Sequence, residues 1–385
     1  MFDYLNKDEH LAPLKPYIAG KSTKEIAEKY NLDPVSIIKL ASNENPRLSP
    51  LVLEKFKEIL LQKNDDYLLN IYGDALGERL ISAIKNNFPE IGNAEIVIGN
   101  GMDNILESIA RLILRKGDQS LITVPSFSYY EMISRWAQAE PIFIPTYNDK
   151  EQNFSLNISD ILEKFNSKVK IIFLCNPNNP TGAYINIKEI ETLAKEALKK
   201  EIFLFIDEAY IDYSEEDSFI SKVQNYKNVI VGKTFSKAYG LAGQRIGYAI
   251  IHQNLLNLYS KVQTPFAVNK LGLIFAETVL KDKAFLRETI EINKQGREYI
   301  FNALKDFNFK VFKSYANYIS FFVNDLFKDA EDFFIALLKR GIIVRNVSSK
   351  FSNSNHIRVS IGTMEQNRKF IKALEQEIKE RSINK

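Results

Sequence analysis

The segment Val229-Ile-Val-Gly-Lys-Thr-Phe-Ser-Lys-Ala-Tyr-Gly240 passes from three apolar residues to a run of hydroxyl and amino side chains. A second apolar run, Ile202-Phe-Leu-Phe-Ile206, leads in the same way into Asp207-Glu-Ala-Tyr210. Continuous apolar runs of this length are typical of strands that are buried on both faces of an α/β sheet. Because ligands bind beyond the carboxyl ends of such strands, the polar residues after each run are candidate site residues.

Short apolar runs alternate with longer amphipathic stretches from about residue 94 onward. The apolar runs predict strands at 95–98, 120–124, 140–144, 169–174, 201–206, 228–231 and 246–251. The stretch after the first strand has helical spacing, with apolar residues at Ile105, Ile109, Leu112 and Ile113. Strands joined by helical crossovers predict an α/β fold with a mainly parallel central sheet.

The pattern changes after about residue 280. A charged helix is predicted at 283–304, and it is followed by strands at 309–312, 318–323, 342–344 and 356–361 and by helices at 329–340 and from 364. We therefore predict two domains. The larger α/β domain spans residues 48–275, and a smaller α+β domain is built from both termini, residues 1–47 and 276–385.

The composition argues against several classes of protein. Lys and Arg number 51 against 48 Asp and Glu, and the formal net charge of +3 gives no reason to expect a nucleic-acid partner. Cys175 has no second cysteine to pair with, which agrees with a reducing cytoplasm. The three histidines, His10, His252 and His356, are too dispersed to predict a metal site. The first residues carry acids and lack an apolar signal core, and no apolar run is long enough to span a membrane, so we expect a cytoplasmic protein.

Lys237, Asp207 and Arg245 are the charged residues that follow these strand ends. Together they make a plausible cradle for pyridoxal phosphate, a cationic heteroaromatic ring that carries an aldehyde and a phosphate. Lys237 would bond covalently to the aldehyde, and Asp207 would keep the ring nitrogen protonated so that the ring withdraws electrons. Tyr210 could hydrogen-bond the phenolic oxygen, as could Asn179 in the turn after the strand at 169–174. Taken singly, each has an ordinary explanation. Lys237 could be a solvated surface lysine, Asp207 a helix cap, and the segment around Asn179 a simple turn.

A phosphate site is predicted near the start of the helix after residue 100. Gly99-Asn-Gly101 opens this helix, whose unpaired N–H groups suit an anion, but the third glycine of a dinucleotide fingerprint is missing. Thr234 and Ser236 supply hydroxyl groups, and Arg245 supplies a fixed cation. Phe127 could stack on the ring, although core packing is the ordinary explanation for an isolated phenylalanine.

Two arginines in the second domain predict a substrate site. Arg345 follows the strand at 342–344, and Arg358 stands among alternating apolar residues. A half-buried cation requires an anion, and we expect the carboxylate or phosphate of the substrate to supply it.

Taken together, these motifs resemble those of a known family. Asn179-Pro-Thr-Gly182, Asp207-Glu-Ala-Tyr210, Thr234-Phe-Ser-Lys237 and Arg245 occur in this order in the fold-type-I pyridoxal-phosphate aminotransferases. Further stretches are similar to the histidinol-phosphate aminotransferases and extend the resemblance over nearly the whole chain: Tyr17-Ile-Ala-Gly-Lys21, Leu40-Ala-Ser-Asn-Glu-Asn-Pro46, Gly341-Ile-Ile-Val-Arg345 and Ile357-Arg-Val-Ser-Ile-Gly-Thr363.

The resemblance implies a role for each matching residue. Lys237, Asp207 and Tyr210 would be catalytic, with Lys237 moving the proton between substrate and cofactor. The backbone at Gly101, Met102 and Asp103 would complete the phosphate site. Tyr72 would reach the cofactor phosphate of the neighbouring subunit, which implies a homodimer with shared active sites. The residues that would bind the substrate are Tyr17, Asn45, Arg345 and Arg358.

The implied reaction moves an amino group from glutamate to a small phosphorylated ketone, with histidinol phosphate and imidazole acetol phosphate as the expected pair. The same two arginines would have to accept a planar carboxylate and a tetrahedral phosphate, and guanidinium groups suit both.

Departures from the family pattern leave alternatives open. Tyr72-Gly-Asp74 and Gly101-Met-Asp-Asn104 replace Tyr-Pro-Asp and Gly-Ser-Asp-Glu. Arg47 follows the Asn-Glu-Asn-Pro run, either as an extra cation near the substrate or as a surface arginine. The ketone could therefore be another one, such as dihydroxyacetone phosphate, or the enzyme could be a phospho-amino-acid decarboxylase. A transcription regulator is a remote alternative, because residues 23–37 superficially resemble the opening of a helix-turn-helix but no basic recognition helix follows.

Overall fold

The computed structural model describes residues 8–14, 23–61, 70–148, 153–350 and 355–383. The strands in this part of the chain are β1 Ile38–Lys39, β2 Glu95–Asn100, β3 Gln119–Val124, β4 Glu140–Pro145, β5 Tyr147–Asn148, β6 Asn153–Phe154, β7 Val169–Cys175, β8 Phe203–Asp207, β9 Val229–Thr234, β10 Ile246–Ile251, β11 Lys310–Val311, β12 Tyr318–Phe322, β13 Ile342–Ile343, β14 Arg345–Asn346 and β15 His356–Ser360. The α-helices are α1 Thr23–Tyr30, α2 Pro50–Leu61, α3 Glu78–Asn87, α4 Gly101–Ile113, α5 Tyr129–Trp136, α6 Ile158–Leu162, α7 Ile187–Lys199, α8 Leu256–Tyr259, α9 Lys270–Lys281, α10 Lys283–Asp306, α11 Ala330–Lys339 and α12 Met364–Ile383.

A seven-stranded sheet in the order β2-β10-β9-β8-β7-β3-β4 forms the centre of the larger part of the molecule. The strands from β9 to β4 pair in parallel, whereas β10 runs antiparallel to both of its neighbours. Helices follow or precede these strands along the chain, so the prediction of an α/β fold with a mainly parallel sheet is confirmed.

Both faces of this sheet are buried, which explains the continuous apolar runs. Along β9, Val229 and Val231 belong to one hydrophobic cluster, together with residues of α3, α7 and α9. Ile230 lies on the opposite face and packs in a second cluster with residues of α4, α5 and α8. Successive side chains of a strand point to opposite faces, so an apolar residue is required at every position.

A second, smaller sheet in the order β11-β12-β15-β14 is antiparallel throughout. Its apolar side chains pack with those of α10, α11 and α12 in a separate cluster that contains Ile319, Phe321, Ile357 and Val359. The predicted α+β pattern of this region is therefore present. Phe285, near the start of α10, packs in the cluster of the large sheet instead, and the domain boundaries at residues 48 and 276 stay a prediction.

Residues 23–41 pack against the C-terminal part of the chain. Ile26 and Ile37 share a cluster with Leu338 and Ile343, and β1 pairs in parallel with β13. After α1 the chain forms a 3-10 turn at Pro34–Ser36 and then enters β1, so a strand stands where a helix-turn-helix has its second helix. This arrangement is not that of a helix-turn-helix. In the part of the chain that the structure describes, no helix has the length and apolar character needed to cross a membrane.

The reversed direction of β10 determines where the polar residues meet. Strands β2, β8 and β9 run in one direction and end at Asn100, Asp207 and Thr234. Because β10 runs the other way, its first residues pair with the last residues of β2 and β9, and Arg245 lies immediately before it at the same edge.

Gly247 allows the start of α4 to lie directly on this edge of the sheet. A Cβ atom at Gly247 would stand 2.6 Å from the backbone carbon of Gly101 and 2.6 Å from the backbone nitrogen of Met102. Both contacts are with backbone atoms, which cannot rotate away. The close approach of β10 to the amino end of α4 therefore requires glycine at this position.

We expect Gly247→Ala to lower the free energy of unfolding by about 1–3 kcal/mol, because the added methyl group forces α4 away from the sheet. Chemical denaturation followed by circular dichroism would measure the change. Gly243→Ala is the matched control, since a Cβ atom there meets nothing within 4 Å, and we expect a change within about 0.5 kcal/mol. Equal losses in the two variants would contradict this account of Gly247.

Candidate active site at the carboxyl edge of the central sheet

Lys237 lies in the loop after β9 and is partly buried. Its ammonium nitrogen stands 5.6 Å from the ring centroid of Tyr210. Burial lowers the pKa of Lys237 to about 8, and the guanidinium groups of Arg358 and Arg245 act in the same direction. A substantial fraction of the amine is therefore neutral near physiological pH, as a nucleophilic lysine requires.

Asp207 ends β8 and is buried. Its Oδ2 atom accepts a hydrogen bond of 2.6 Å from the hydroxyl of Tyr130, and its Oδ1 atom accepts one of 3.0 Å from the backbone N–H of Ala209. Burial raises the pKa of Asp207, whereas these two donors favour its ionised form. Tyr130 was not predicted from the sequence, although it lies in the same run as Phe127 and in the first turn of α5.

Tyr210 is buried beside this acid, and its hydroxyl accepts a hydrogen bond of 3.2 Å from the side-chain amide of Asn43. The backbone N–H of Asn43 in turn donates to the hydroxyl of Ser360, at the end of β15. The contact between Asn43 and Tyr210 was also not predicted from the sequence. It connects the Asn-Glu-Asn-Pro segment, the loop after β8 and the smaller sheet.

Arg358 lies in β15, buried between the two sheets. It donates to the side-chain oxygen of Asn179 at 2.6 Å and to the carbonyl of Ala41 at 2.8 Å, and its guanidinium lies 5.3 Å from the ring centroid of Tyr318. Arg345 is its direct partner in the antiparallel pairing of β14 with β15. Two like charges opposite each other on one face of a sheet repel, and an anion bound between them would offset this repulsion.

Arg245, Ser236 and the amino end of α4 form a cradle for an anion. Arg245 reaches the hydroxyl of Ser236 at 3.5 Å and the carboxylate of Asp103 at 3.1 Å. Gly101 has a φ of +75°, and a Cβ atom there would stand 2.5 Å from a guanidinium nitrogen of Arg245. The guanidinium thus lies against the first turn of a 13-residue helix, where backbone N–H groups have no helical partner.

Thr234 and Asp103 have further contacts in this cradle. The hydroxyl of Thr234 donates to the carbonyl of Ile246 at 3.2 Å and accepts from the N–H of Ser236 at 3.1 Å, so it shapes the loop before Lys237. Burial raises the pKa of Asp103, and the guanidinium of Arg245 beside it opposes this effect. Met102 lies beneath the cradle, with its sulfur packed against Gly232 of β9.

The remaining candidate residues border the same edge. Phe127 is partly buried and meets the ring of Tyr130 edge-on, with ring centroids 5.7 Å apart. Asn45 donates to the carbonyl of Ala238 at 2.9 Å, next to Lys237. Tyr72 is 79% exposed and stacks on Phe266. Tyr17 lies outside the described residues, so its predicted role has no structural counterpart here.

Arg47 is engaged away from the other arginines. Its guanidinium forms a 2.6 Å ion pair with Glu288 and reaches the hydroxyl of Thr289 at 3.4 Å, both on α10. It also lies over the ring of Phe285. These contacts fit the interpretation of Arg47 as a surface arginine better than that of a substrate-binding cation.

The geometry fits pyridoxal phosphate. A lysine with a lowered pKa, a buried acid and an anion cradle lined by Gly101 and Arg245 meet at one edge of the sheet, which are the features that its aldehyde, ring nitrogen and phosphate require. Among the residues that the structure describes, no group of three or more acidic, histidine or cysteine side chains could hold a metal ion.

The fold is shared with solved structures. The histidinol-phosphate aminotransferase of Clostridium acetobutylicum superimposes with a TM-score of 0.80 at 26% identity and covers 89% of this chain and 100% of its own. The enzyme of that name from Sinorhizobium meliloti, solved in complex with pyridoxal-5'-phosphate, gives 0.82 at 22% identity and 97% coverage of each chain. The protein thus has the fold of the fold-type-I pyridoxal-phosphate-dependent transferases.

Sequence similarity identifies the family to which the chain belongs within this class. Residues 35–374 match the family described as aminotransferase class I and II. The histidinol-phosphate aminotransferase of Methanococcoides burtonii is 38% identical over 371 residues, which cover 96% of this chain and 98% of the relative. The chain belongs to the class I and II aminotransferase family and is a pyridoxal-phosphate-dependent aminotransferase.

The lowered pKa of Lys237 leads to a pH prediction. Only the neutral amine attacks an aldehyde, so the rate at which the cofactor-free protein takes up added pyridoxal phosphate should rise with pH through a midpoint near 8. The growth of the visible absorption band in stopped-flow measurements gives this rate. Lys237→Arg, which keeps the charge but forms no such bond, should show no band. A midpoint close to that of a solvated lysine, about 10.4, would contradict the prediction.

Proposed function

We propose that this enzyme transfers the amino group of glutamate to imidazole acetol phosphate and so forms histidinol phosphate and 2-oxoglutarate. The observation that carries the proposal is the pairing of Arg345 with Arg358 in neighbouring strands, beside Asn179. Supporting it, near-full-length relatives carry the name histidinol-phosphate aminotransferase.

The cofactor supplies an aldehyde that accepts the amino group and a ring that stabilises negative charge on the substrate carbon. Lys237 would carry the cofactor and then move the proton between the two reacting carbons, a task for which an amine with a pKa near 8 is suited. Asp207 would face the ring nitrogen and keep it protonated. Tyr210 and Asn179 would hold the phenolic oxygen.

The phosphate of the cofactor would occupy the cradle of Arg245, Ser236 and the first residues of α4, where Gly101, Met102 and Asp103 supply backbone N–H groups. Thr234 supports the loop through its bonds to Ile246 and Ser236. Phe127 would lie against the ring, next to Tyr130. Each of these roles requires only side chains that already converge at this edge.

The substrate anion would bind between Arg345 and Arg358, with Asn45 bordering the pocket, and the family resemblance assigns Tyr17 to the same role. Glutamate presents a carboxylate and the phosphorylated ketone presents a phosphate, and guanidinium groups donate to both in forked geometry. The bond from Arg358 to Asn179 joins this anion site to the side chain that would hold the phenolic oxygen. Binding of the substrate anion would thereby affect the side chain that holds the cofactor.

The enzyme is further proposed to act as a homodimer with shared active sites. A group of apolar side chains around α2 and the segment before α3 is exposed in the single chain: Leu51, Leu53, Phe56, Leu60, Ile71, Tyr72, Leu76 and Phe266. Exposed large apolar side chains on neighbouring segments support a protein–protein interface here. Tyr72 lies within it, as a residue that reaches a neighbouring subunit should.

The substrate is tested by half-reactions followed in the absorption spectrum. The cofactor-loaded enzyme should be aminated by glutamate, and the aminated form should be returned to its starting spectrum by imidazole acetol phosphate. If only dihydroxyacetone phosphate returned the enzyme to its starting spectrum, that ketone would replace imidazole acetol phosphate as the proposed substrate. Release of carbon dioxide from phosphothreonine, with no keto acid aminated, would replace transamination by decarboxylation.

Arg358→Ala should raise KM for glutamate and for the phosphorylated substrate together, each by about ten- to a hundredfold, because both lose a charged hydrogen bond at one site. Steady-state kinetics with each substrate varied in turn would measure this. Arg79→Ala, which removes an exposed arginine paired with Glu277 on the surface, is the matched control. A rise for only one substrate would disprove a common anion site.

Shared active sites predict complementation between two inactive variants. Lys237→Ala and Tyr72→Ala subunits, mixed and allowed to exchange, form hybrid dimers in which one site carries both changes and the other carries none. Random exchange should restore about a quarter of the wild-type activity, since half of the dimers are hybrids with one intact site. Neither variant alone has an intact site, so the unmixed variants are the controls and should stay inactive. No recovery in dimers shown to be hybrid would contradict shared sites.

A further inference from the structure

The hydroxyl of Tyr130 is directed at the acid of the proposed site by the fold around it. Tyr130 lies in the first turn of α5, and its fully buried ring stacks on Phe173 of β7 with centroids 5.2 Å apart and planes 3° apart. Phe127 meets the same ring edge-on, with centroids 5.7 Å apart. The backbone carbonyl of Tyr130 accepts a hydrogen bond of 2.7 Å from Ser134. These contacts hold the ring with its hydroxyl 2.6 Å from Asp207.

This bond has the length of a charge-assisted hydrogen bond from a hydroxyl to a carboxylate. Burial raises the pKa of Tyr130 well above its ordinary value, so the phenol keeps its proton and acts as the donor. Burial alone would favour the neutral form of Asp207, and each donor to its oxygens opposes this effect.

The carboxylate retains room for a further donor. In the part of the chain that the structure describes, Oδ2 has the bond from Tyr130 and Oδ1 has the bond from Ala209. A carboxylate can accept about four hydrogen bonds. The N–H group of a ring that faces Asp207 can therefore add to these two bonds without displacing either.

We propose that Tyr130 is a positioning residue that holds Asp207 ionised and oriented toward the ring nitrogen of the cofactor. The inference rests on the role proposed for Asp207 and does not depend on which substrate the enzyme uses. Without the phenol, the proton shared by the ring nitrogen and Asp207 would shift toward the acid. The ring would then lose positive charge, and with it the capacity to stabilise negative charge on the substrate carbon.

The matched pair of variants is Tyr130→Phe and Tyr248→Phe. Tyr248 is also fully buried in the central sheet, but its hydroxyl has no hydrogen-bond partner among the described residues. Both variants remove one hydroxyl group from a fully buried ring. Only the first removes a donor from Asp207.

The measurement is the ¹⁵N chemical shift of pyridoxal phosphate labelled at the ring nitrogen, bound to each variant and followed as the pH is raised. We expect the wild type and Tyr248→Phe to keep the shift of a protonated ring, and Tyr130→Phe to move toward the neutral shift at lower pH. We also expect kcat to fall roughly ten- to a hundredfold in Tyr130→Phe, with a much smaller change in KM for glutamate.

A double variant distinguishes a positioning role of Tyr130 from a role in core packing alone. If Tyr130 acts through Asp207, then adding Tyr130→Phe to Asp207→Asn should cause little further change in the ¹⁵N shift or in kcat. Additive losses, or a Tyr130→Phe protein whose ring nitrogen titrates like that of Tyr248→Phe, would show that Tyr130 serves only the core. The ¹⁵N readout requires cofactor but no ketone, so failure of the proposed substrate leaves this test intact.

Discussion

The reversal of one strand is the constraint on which the rest of the site depends. With β10 antiparallel between β2 and β9, Gly247 pairs with Gly99 on one side and with Thr234 on the other. The chain must therefore turn at the carboxyl edge of the sheet, and Arg245 at that turn adopts a left-handed backbone with a φ of 55°. Such a conformation is unfavourable for a side chain other than glycine and is typical of functional sites. Here it brings a guanidinium to the start of α4.

Several charged groups of the candidate site lie in largely buried surroundings. Lys237, Asp207 and Arg358 each approach an apolar core, and burial opposes the charged form of each group. The two hydrogen bonds on Asp207 counter this effect, whereas Lys237 has cationic neighbours that reinforce it. Hydrogen-bond donors thus oppose the effect of burial at Asp207, whereas cationic neighbours add to it at Lys237. This difference between the two environments is what an acid–base site requires.

Local patterns in the sequence were sufficient to predict most of the elements. The strand predicted at 246–251 has the same bounds in the structure, and the helix predicted at 283–304 ends two residues later. An apolar run reads alike in both directions, however, so the sequence did not reveal that β10 is antiparallel. Tyr130 and Asn43 were missed because their bonds, to Asp207 and Tyr210, span 77 and 167 residues. Only the tertiary fold brings such pairs together, whereas the motif residues were recognisable from the strand ends that precede them.

The bonding of Arg358 constrains how this active site can change. Its guanidinium joins three distant stretches of chain, because it lies on β15 and donates to Asn179 and to the carbonyl of Ala41. A substitution that adapts the pocket to a different acidic group therefore also alters the surroundings of Asn179. If Arg358 binds the substrate as proposed, selectivity and reactivity are coupled through one side chain, and redesign toward new amines would have to begin from residues outside this junction.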